Sequence, residues 1–279
     1  MGEWLAEWKQ RGRAVQDRLH AARADHKSLE FGFGIVRHDA QIGGGLLAGA
    51  LAYRLFVFLL PTSLLLVSGL GLYAGTVDRS PAEAASEAGL HGLIASEVAS
   101  AAAGRHRAVV FLVMIPAVAY GMITLYRAIA RVHAIVWLGS GHGVKATRKG
   151  LGVFAAALVL QFVAVETVGW LRRSNQFSGL AALLLYLLVV GGSWLAVSLD
   201  LPHRDVRWPR LLPGALLVGG GLLLINVFNV YVTTRLVENR ANTYGALGIA
   251  TALLFSLVLV GRLIVLSAEL NAAPAEPER

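Results

Sequence analysis

The sequence predicts an all-α, polytopic membrane protein with six transmembrane helices, an N-terminal amphipathic helix and a second, extracytoplasmic amphipathic helix. Three observations predict it. Of 279 residues, 56% are hydrophobic and only 15% are charged, against about 25% charged in an average soluble chain. The apolar residues collect into six runs, each around or above the roughly 20 residues that a helix needs to cross hydrocarbon. The Lys and Arg residues crowd on alternate connections between those runs, as the positive-inside bias requires.

The opening segment, residues 1–42, reads as cytoplasmic and basic. It is charged throughout its first thirty residues and has no early apolar core with a small-residue cleavage site, so no cleavable signal is expected. Trp4, Trp8, Val15, Leu19 and Ala22 share one helical face, with Lys9, Arg11, Arg18 and Arg23 largely elsewhere. That pattern fits a basic helix lying on the inner leaflet, and equally a solvated helix packed on the end of the bundle.

A transmembrane domain follows over residues 43–272, then a cytoplasmic tail over 273–279. The six spans are expected near 44–74, 108–130, 150–171, 178–199, 211–235 and 244–270. Pro61, Pro116 and Pro213 are candidate bends, because a proline inside a helix lacks an N–H. The 33-residue connection 75–107 contains Ser80, Pro81 and Glu83 in a capping-box arrangement, then an apolar stripe of Leu90, Leu93, Ile94 and Val98. It predicts a helix across the outer mouth of the bundle.

Six spans put both termini on one side. That side carries sixteen Lys and Arg residues and the other side seven, which places the termini in the cytoplasm. Trp137, Trp170 and Trp208 fall near span ends, where an interfacial belt is expected. Gly45 and Gly49 give small-xxx-small spacing, and Gly219, Gly220 and Gly221 form a smooth patch, both suited to close helix packing.

Several chemistries have no support. There is no cysteine, so disulfides, thiolate metal sites and thiol catalysis are excluded. The eight histidines are scattered, none with a partner at metal-ligand spacing. The run GSGHGVKATRKG, residues 139–150, lacks the Walker pattern and suits an anionic-lipid anchor better than a nucleotide cradle. No metal, cofactor or nucleotide is implied, and no nucleophile–base pair suggests an enzyme. The net charge of +8 lies mostly beside apolar runs, which suits lipid rather than nucleic acid.

Two stretches carry a family resemblance: LAYRLFVFLLP in the first span, and TYGALGIATALLFSLVLVGRLIVLSAELNA, residues 243–272. The second opens on Tyr244-Gly245 and closes on Ser267-Ala268-Glu269-Leu270-Asn271-Ala272. The chain resembles the YihY/BrkB family of six-span bacterial inner-membrane proteins, including its YhjD branch, over residues 40 to 272. Ser267 replaces a usual glycine, and Arg54 stands where the family more often has tyrosine. The resemblance implies a role in envelope integrity, and for the YhjD branch in lipid transport. A ribonuclease label also attached to the family finds no catalytic residues in this sequence to support it.

The charges inside the spans pose the functional question. Arg54 lies about 15 Å into the first span, where a central arginine costs roughly 2.5–3.5 kcal/mol unless it snorkels. Arg262 falls in the inner half of the sixth span, Arg127 near the inner end of the second, and Glu269 near the inner end of the sixth. If they meet, three guanidiniums face one carboxylate, and an anionic headgroup would relieve the excess. The competing reading has Arg54 or Arg262 pairing with Glu269 to lock helices, while the others snorkel. Tyr53 sits beside Arg54, and Gln161, Glu166, Asn226 and Asn229 would continue a polar path outward. Glu166 with an asparagine would serve equally as a hydrogen-bonded helix contact.

These features lead to an expected transporter or flippase for an anionic membrane lipid or lipid-linked precursor. The alternative is a non-transporting scaffold for envelope machinery, partnered by a second copy of the chain or by an envelope protein.

Overall fold

The computed structural model describes residues 27–76, 107–174, 178–228 and 234–273. Seven α-helices lie among the described residues: α1 Lys27–Ile42, α2 Gly44–Thr76, α3 Arg107–Leu138, α4 Arg148–Ser174, α5 Ser178–Asp200, α6 Leu212–Phe228 and α7 Thr234–Ala272. Helices α2, α4 and α5 keep close to their expected limits, whereas α3 ends later and α7 begins ten residues earlier than expected, and α1 corresponds to no expected span. A short 3₁₀ turn, Trp208–Leu211, leads into α6. No strand occurs among the described residues. The basic amphipathic stretch before residue 27 and the outer helix expected after Ser80 lie outside them.

Among the described residues, five helices are long and apolar enough to span a membrane: Gly44–Gly69, Ala108–Leu138, Leu183–Asp200, Trp208–Asn226 and Leu253–Ala272. The other expected span coincides with α4, a continuous helix of 27 residues, about 40 Å long at 1.5 Å per residue. Several of its side chains fall outside the described set, and the count of six is therefore not reached.

Each helix boundary has a local cause. Gly43 takes φ 68°, the left-handed conformation that ends α1 at low steric cost. Its carbonyl then accepts from the N–H groups of Leu46 and Leu47, starting the ladder of α2. Thr147 caps α4 by accepting from the Gly150 N–H at 3.0 Å. Pro61 and Pro116 both sit inside continuous helices. Beside Pro61, the hydroxyls of Thr62 and Ser63 turn back on their own helix and donate to the Phe58 and Leu60 carbonyls. Pro213 does not bend a span. It is the second residue of α6, where the missing N–H costs nothing.

Helices α2 and α3 run antiparallel side by side. A Cβ placed on Gly121 would meet Phe58, and one on Gly69 would meet Phe111, so the two helices stay in step along their length. Helix α7 contacts α1, α2, α3 and α6, and α5 packs between α4 and α6.

The buried core lies where α1 docks. Leu51 of α2, Leu125, Ile129, Val132 and Trp137 of α3, Trp194 and Val197 of α5, and Val265 and Ala268 of α7 form one cluster. Helix α3 runs eight residues beyond its expected end because Val132, His133, Val136 and Trp137 all turn into that cluster. Trp137 is therefore a core residue, packed edge-on against His203, and not part of an interfacial belt. Trp208 is exposed as expected, and the side chain of Trp170 lies outside the described set. On the outer faces, Leu112, Leu188 and Leu224 are exposed, as hydrocarbon contact allows.

The glycine expectations divide. Gly45 and Gly49 face open space, so this pair makes no helix contact among the described residues. The close approach of α2 and α7 is instead at Gly261, where an added Cβ would crowd the Ala48 carbonyl. Gly219 does lie against Gly191, and Gly221 against Leu263, while Gly220 is open.

Candidate functional site

The left-handed turn at Gly43 folds the end of α1 back toward the last span. This brings Asp39 to Arg262, whose guanidinium donates two hydrogen bonds to the Asp39 carboxylate, at 2.6 and 2.7 Å. The fork geometry is the strong, charge-assisted form of such a pair. Gly44 is buried beneath it, because a Cβ there would fall on the carboxylate. The hydrogen bonds from Arg262 hold the Asp39 carboxyl below the usual carboxylate range. Burial opposes them, and Glu269, the Arg262 charge and His38 lower it further.

The expected charge balance changes accordingly. Three guanidiniums against Glu269 omitted Asp39, which the sequence reading assigned to the N-terminal segment. Arg262 is matched by that carboxylate.

Nor do the three arginines meet at one level. The contact of Gly261 with Ala48 sets α7 against α2 so that Arg262 lies near residue 47. Arg54 is seven residues further along α2, about 10 Å at 1.5 Å per residue. The α2–α3 register puts Arg127 at the depth of Arg54. Yet Arg127 is exposed, some 200° around α3 from the buried Leu125. Arg54 itself is half-buried, and no carboxylate pairs with it among the described residues.

Of the remaining expected residues, Tyr53 is 62% exposed on the outer face of α2. Gln161 and Asn226 are half-buried. Asn226 lies within hydrogen-bonding reach of the Tyr186 hydroxyl, which makes it a contact between α6 and α5. The Glu166 side chain and Asn229 lie outside the described residues.

Glu269 is 1% exposed and neither carboxyl oxygen has a hydrogen-bond partner. It follows Arg262 by seven residues, two turns on the same face of α7. Its neighbours in the last two turns are uncharged but tied down. Ser267 accepts from the Trp194 indole N–H at 2.9 Å. Asn271 accepts from the Gly214 backbone N–H at 2.8 Å. Gly214 is the third residue of α6, one of the first-turn donors that no helix satisfies internally. The side chain of α7 therefore caps α6 from outside. A Cβ on Gly214 would collide with Asn271 and Ser267, which explains the glycine.

A second polar tie lies beside it. Asp200, last in α5, accepts from the Tyr126 hydroxyl at 2.8 Å and from Thr147 at 3.3 Å, joining α3, α4 and α5. His133 is fully buried beside the Trp194 ring, 6.3 Å between centroids, with Nε2 unpartnered. Among the described residues, no group of three or more His, Asp or Glu side chains could hold a metal ion.

Sequence reasoning missed Asp39, His133, Trp194 and Asp200. Asp39 precedes Gly43-Gly44 by one helical turn, and that glycine pair was the available signal. Asn271 and Ser267 stood in the quoted ending of the last span, without an assigned role.

No curated protein and no solved structure matches the chain. A family model described as Virulence factor BrkB matches residues 37–279, which takes in Asp39, every described span and the closing Ser267–Ala272 segment. The chain thus belongs to the BrkB virulence factor family, as a multi-pass, all-helical membrane protein.

Proposed function

We propose that the protein binds the headgroup of an anionic amphiphile, a lipid or lipid-linked precursor, at Arg54 and moves it across or out of the cytoplasmic leaflet. The observation that carries this reading is the contrast between two intramembrane arginines. Arg262 has a carboxylate partner and Arg54 has none among the described residues. A half-buried guanidinium about 15 Å along its helix gains most from an oxyanion that takes two hydrogen bonds at once. Arg127 lies at the same depth and faces outward, where it would meet arriving headgroups.

In this reading the membrane is the bacterial inner membrane, both termini are cytoplasmic, and the end closed by α1 faces the cytosol. The Lys and Arg distribution supports that orientation. The protein is not an enzyme. With no ATP-binding motif, movement would be passive, proton-coupled or driven by a partner. Envelope integrity would follow from the supply of the amphiphile.

The second reading is a scaffold without transport, and the closed packing at the α1 end favours it. Lipid retention separates the two. Purified protein should keep an anionic phospholipid in preference to a zwitterionic one, and Arg54→Ala should lose that preference. Equal retention of both lipids by wild type would favour the scaffold.

A further inference from the structure

The seam between α1 and α7 holds two carboxyl groups and one guanidinium, with the Glu269 carboxyl facing Asp39. Both oxygens of Asp39 are engaged by Arg262. That leaves the Glu269 carboxyl without a counter-charge, 1% exposed, and with neither oxygen hydrogen-bonded. If both carboxyls were ionised, the seam would carry one uncompensated negative charge away from water, an arrangement that low dielectric strongly disfavours. One positive charge completes it.

The identity of that charge follows from the donors present. A metal cation needs several oxygen ligands at once. Here the two Asp39 oxygens are already committed, and Glu269 supplies the other two. No metal-capable cluster occurs among the described residues. A proton needs only one oxygen to sit on and one to be shared with.

We propose that Asp39 and Glu269 together bind one proton, making the junction of α1 with the last span a proton-binding site whose occupancy controls how firmly α1 docks. Among the described residues, the charged groups that face the pair are Arg262 on α7 and His38 beside Asp39 on α1. Helix α2 presents Gly44 and Ala48 at this level, and its arginine, Arg54, is ten residues beyond Gly44. With the proton bound, the seam is neutral: Asp39 keeps its fork to Arg262, and Glu269 is uncharged. With the proton lost, two carboxylates face one guanidinium and repel. The folded chain holds one proton more than the unfolded chain, so docking weakens as pH rises. The proposal does not depend on the lipid reading above, since it concerns the closing of α1 and not Arg54.

The test uses the full chain reconstituted in lipid nanodiscs. Infrared spectroscopy across a pH titration reads the carbonyl stretch of protonated carboxylic acids directly. Wild type should show such a band at neutral pH that disappears on alkalinisation, and Glu269→Gln should lack it. A wild type with no carboxylic band at neutral pH, or an unchanged band in Glu269→Gln, would overturn the proposal. Glu269→Gln keeps the shape of a protonated glutamate, so it should fold. Hydrogen exchange over residues 27–42 supplies the second readout. Relative to Glu269→Gln at each pH, wild type should lose protection as pH rises, and matching profiles in the two proteins would contradict a role in docking.

Discussion

The guanidinium of Arg262 holds both carboxylate oxygens of Asp39 across 223 residues of chain, joining the helix before the first span to the last span. Side-chain exposures of 34% and 16% place this pair between a surface bridge and a fully buried one. Surface pairs contribute at most about 1 kcal/mol, and breaking a buried pair costs roughly 3–5 kcal/mol. Arg262→Ala should therefore destabilise the protein by about 1–3 kcal/mol. A double-mutant cycle with Asp39→Asn, read by unfolding in a denaturing detergent, should show strong coupling. Arg262→Lys should recover only part of the loss, because an ammonium cannot form the fork.

The same pair sets an acid limit. Asp39 is held below its ordinary value near 3.8, chiefly by the hydrogen bonds from Arg262. The unfolded chain then binds the proton more readily, so the stabilisation is present above that value and is lost as pH falls through the lower folded one. Acid unfolding of wild type should show this loss, and Asp39→Asn should be flat over that interval.

Asn271 caps α6 from a different helix. Removing a cap costs about 0.5–2 kcal/mol, and the Gly214 N–H would be left in an apolar core with no acceptor. Asn271→Ala should fall at or above the upper end of that range. Hydrogen exchange at the start of α6 should rise before exchange in α3.

Two glycines at similar depth on different helices, Gly261 of α7 and Gly49 of α2, should answer oppositely to alanine. At Gly261 the new methyl would press on the Ala48 backbone, which cannot yield like a side chain. Overpacking of this kind costs about 1–3 kcal/mol. At Gly49 the methyl meets open space, and replacing a helical glycine by alanine gains up to about 1 kcal/mol. Thermal denaturation of the two variants should move in opposite directions.

Much of the fold was legible because hydrocarbon restricts the solutions. Apolar runs placed α2, α4 and α5 within three residues of their ends. The end of α3 was expected at residue 130, just before Arg131. In the structure Arg131 is exposed while His133 is buried, since positions two apart on a helix face nearly opposite sides. The charged site was less legible. Depth follows from position along a helix, and so Arg54 and Arg262 could be placed in the same half. Which partner each meets depends on how helices distant in sequence pack, and Asp39 became visible only through the left-handed turn at Gly43. Composition likewise could not say which side of a glycine stripe meets a neighbour, as the open faces of Gly45 and Gly49 illustrate.

The most direct measurement of the central claim is a leaflet-accessibility assay in vesicles containing a labelled anionic phospholipid. The account predicts faster exchange of the label between leaflets with wild-type protein than in empty vesicles, a rate close to that of empty vesicles for Arg54→Ala, and partial recovery for Arg54→Lys. Wild-type exchange no faster than in empty vesicles, or an Arg54→Ala rate equal to wild type, would contradict it.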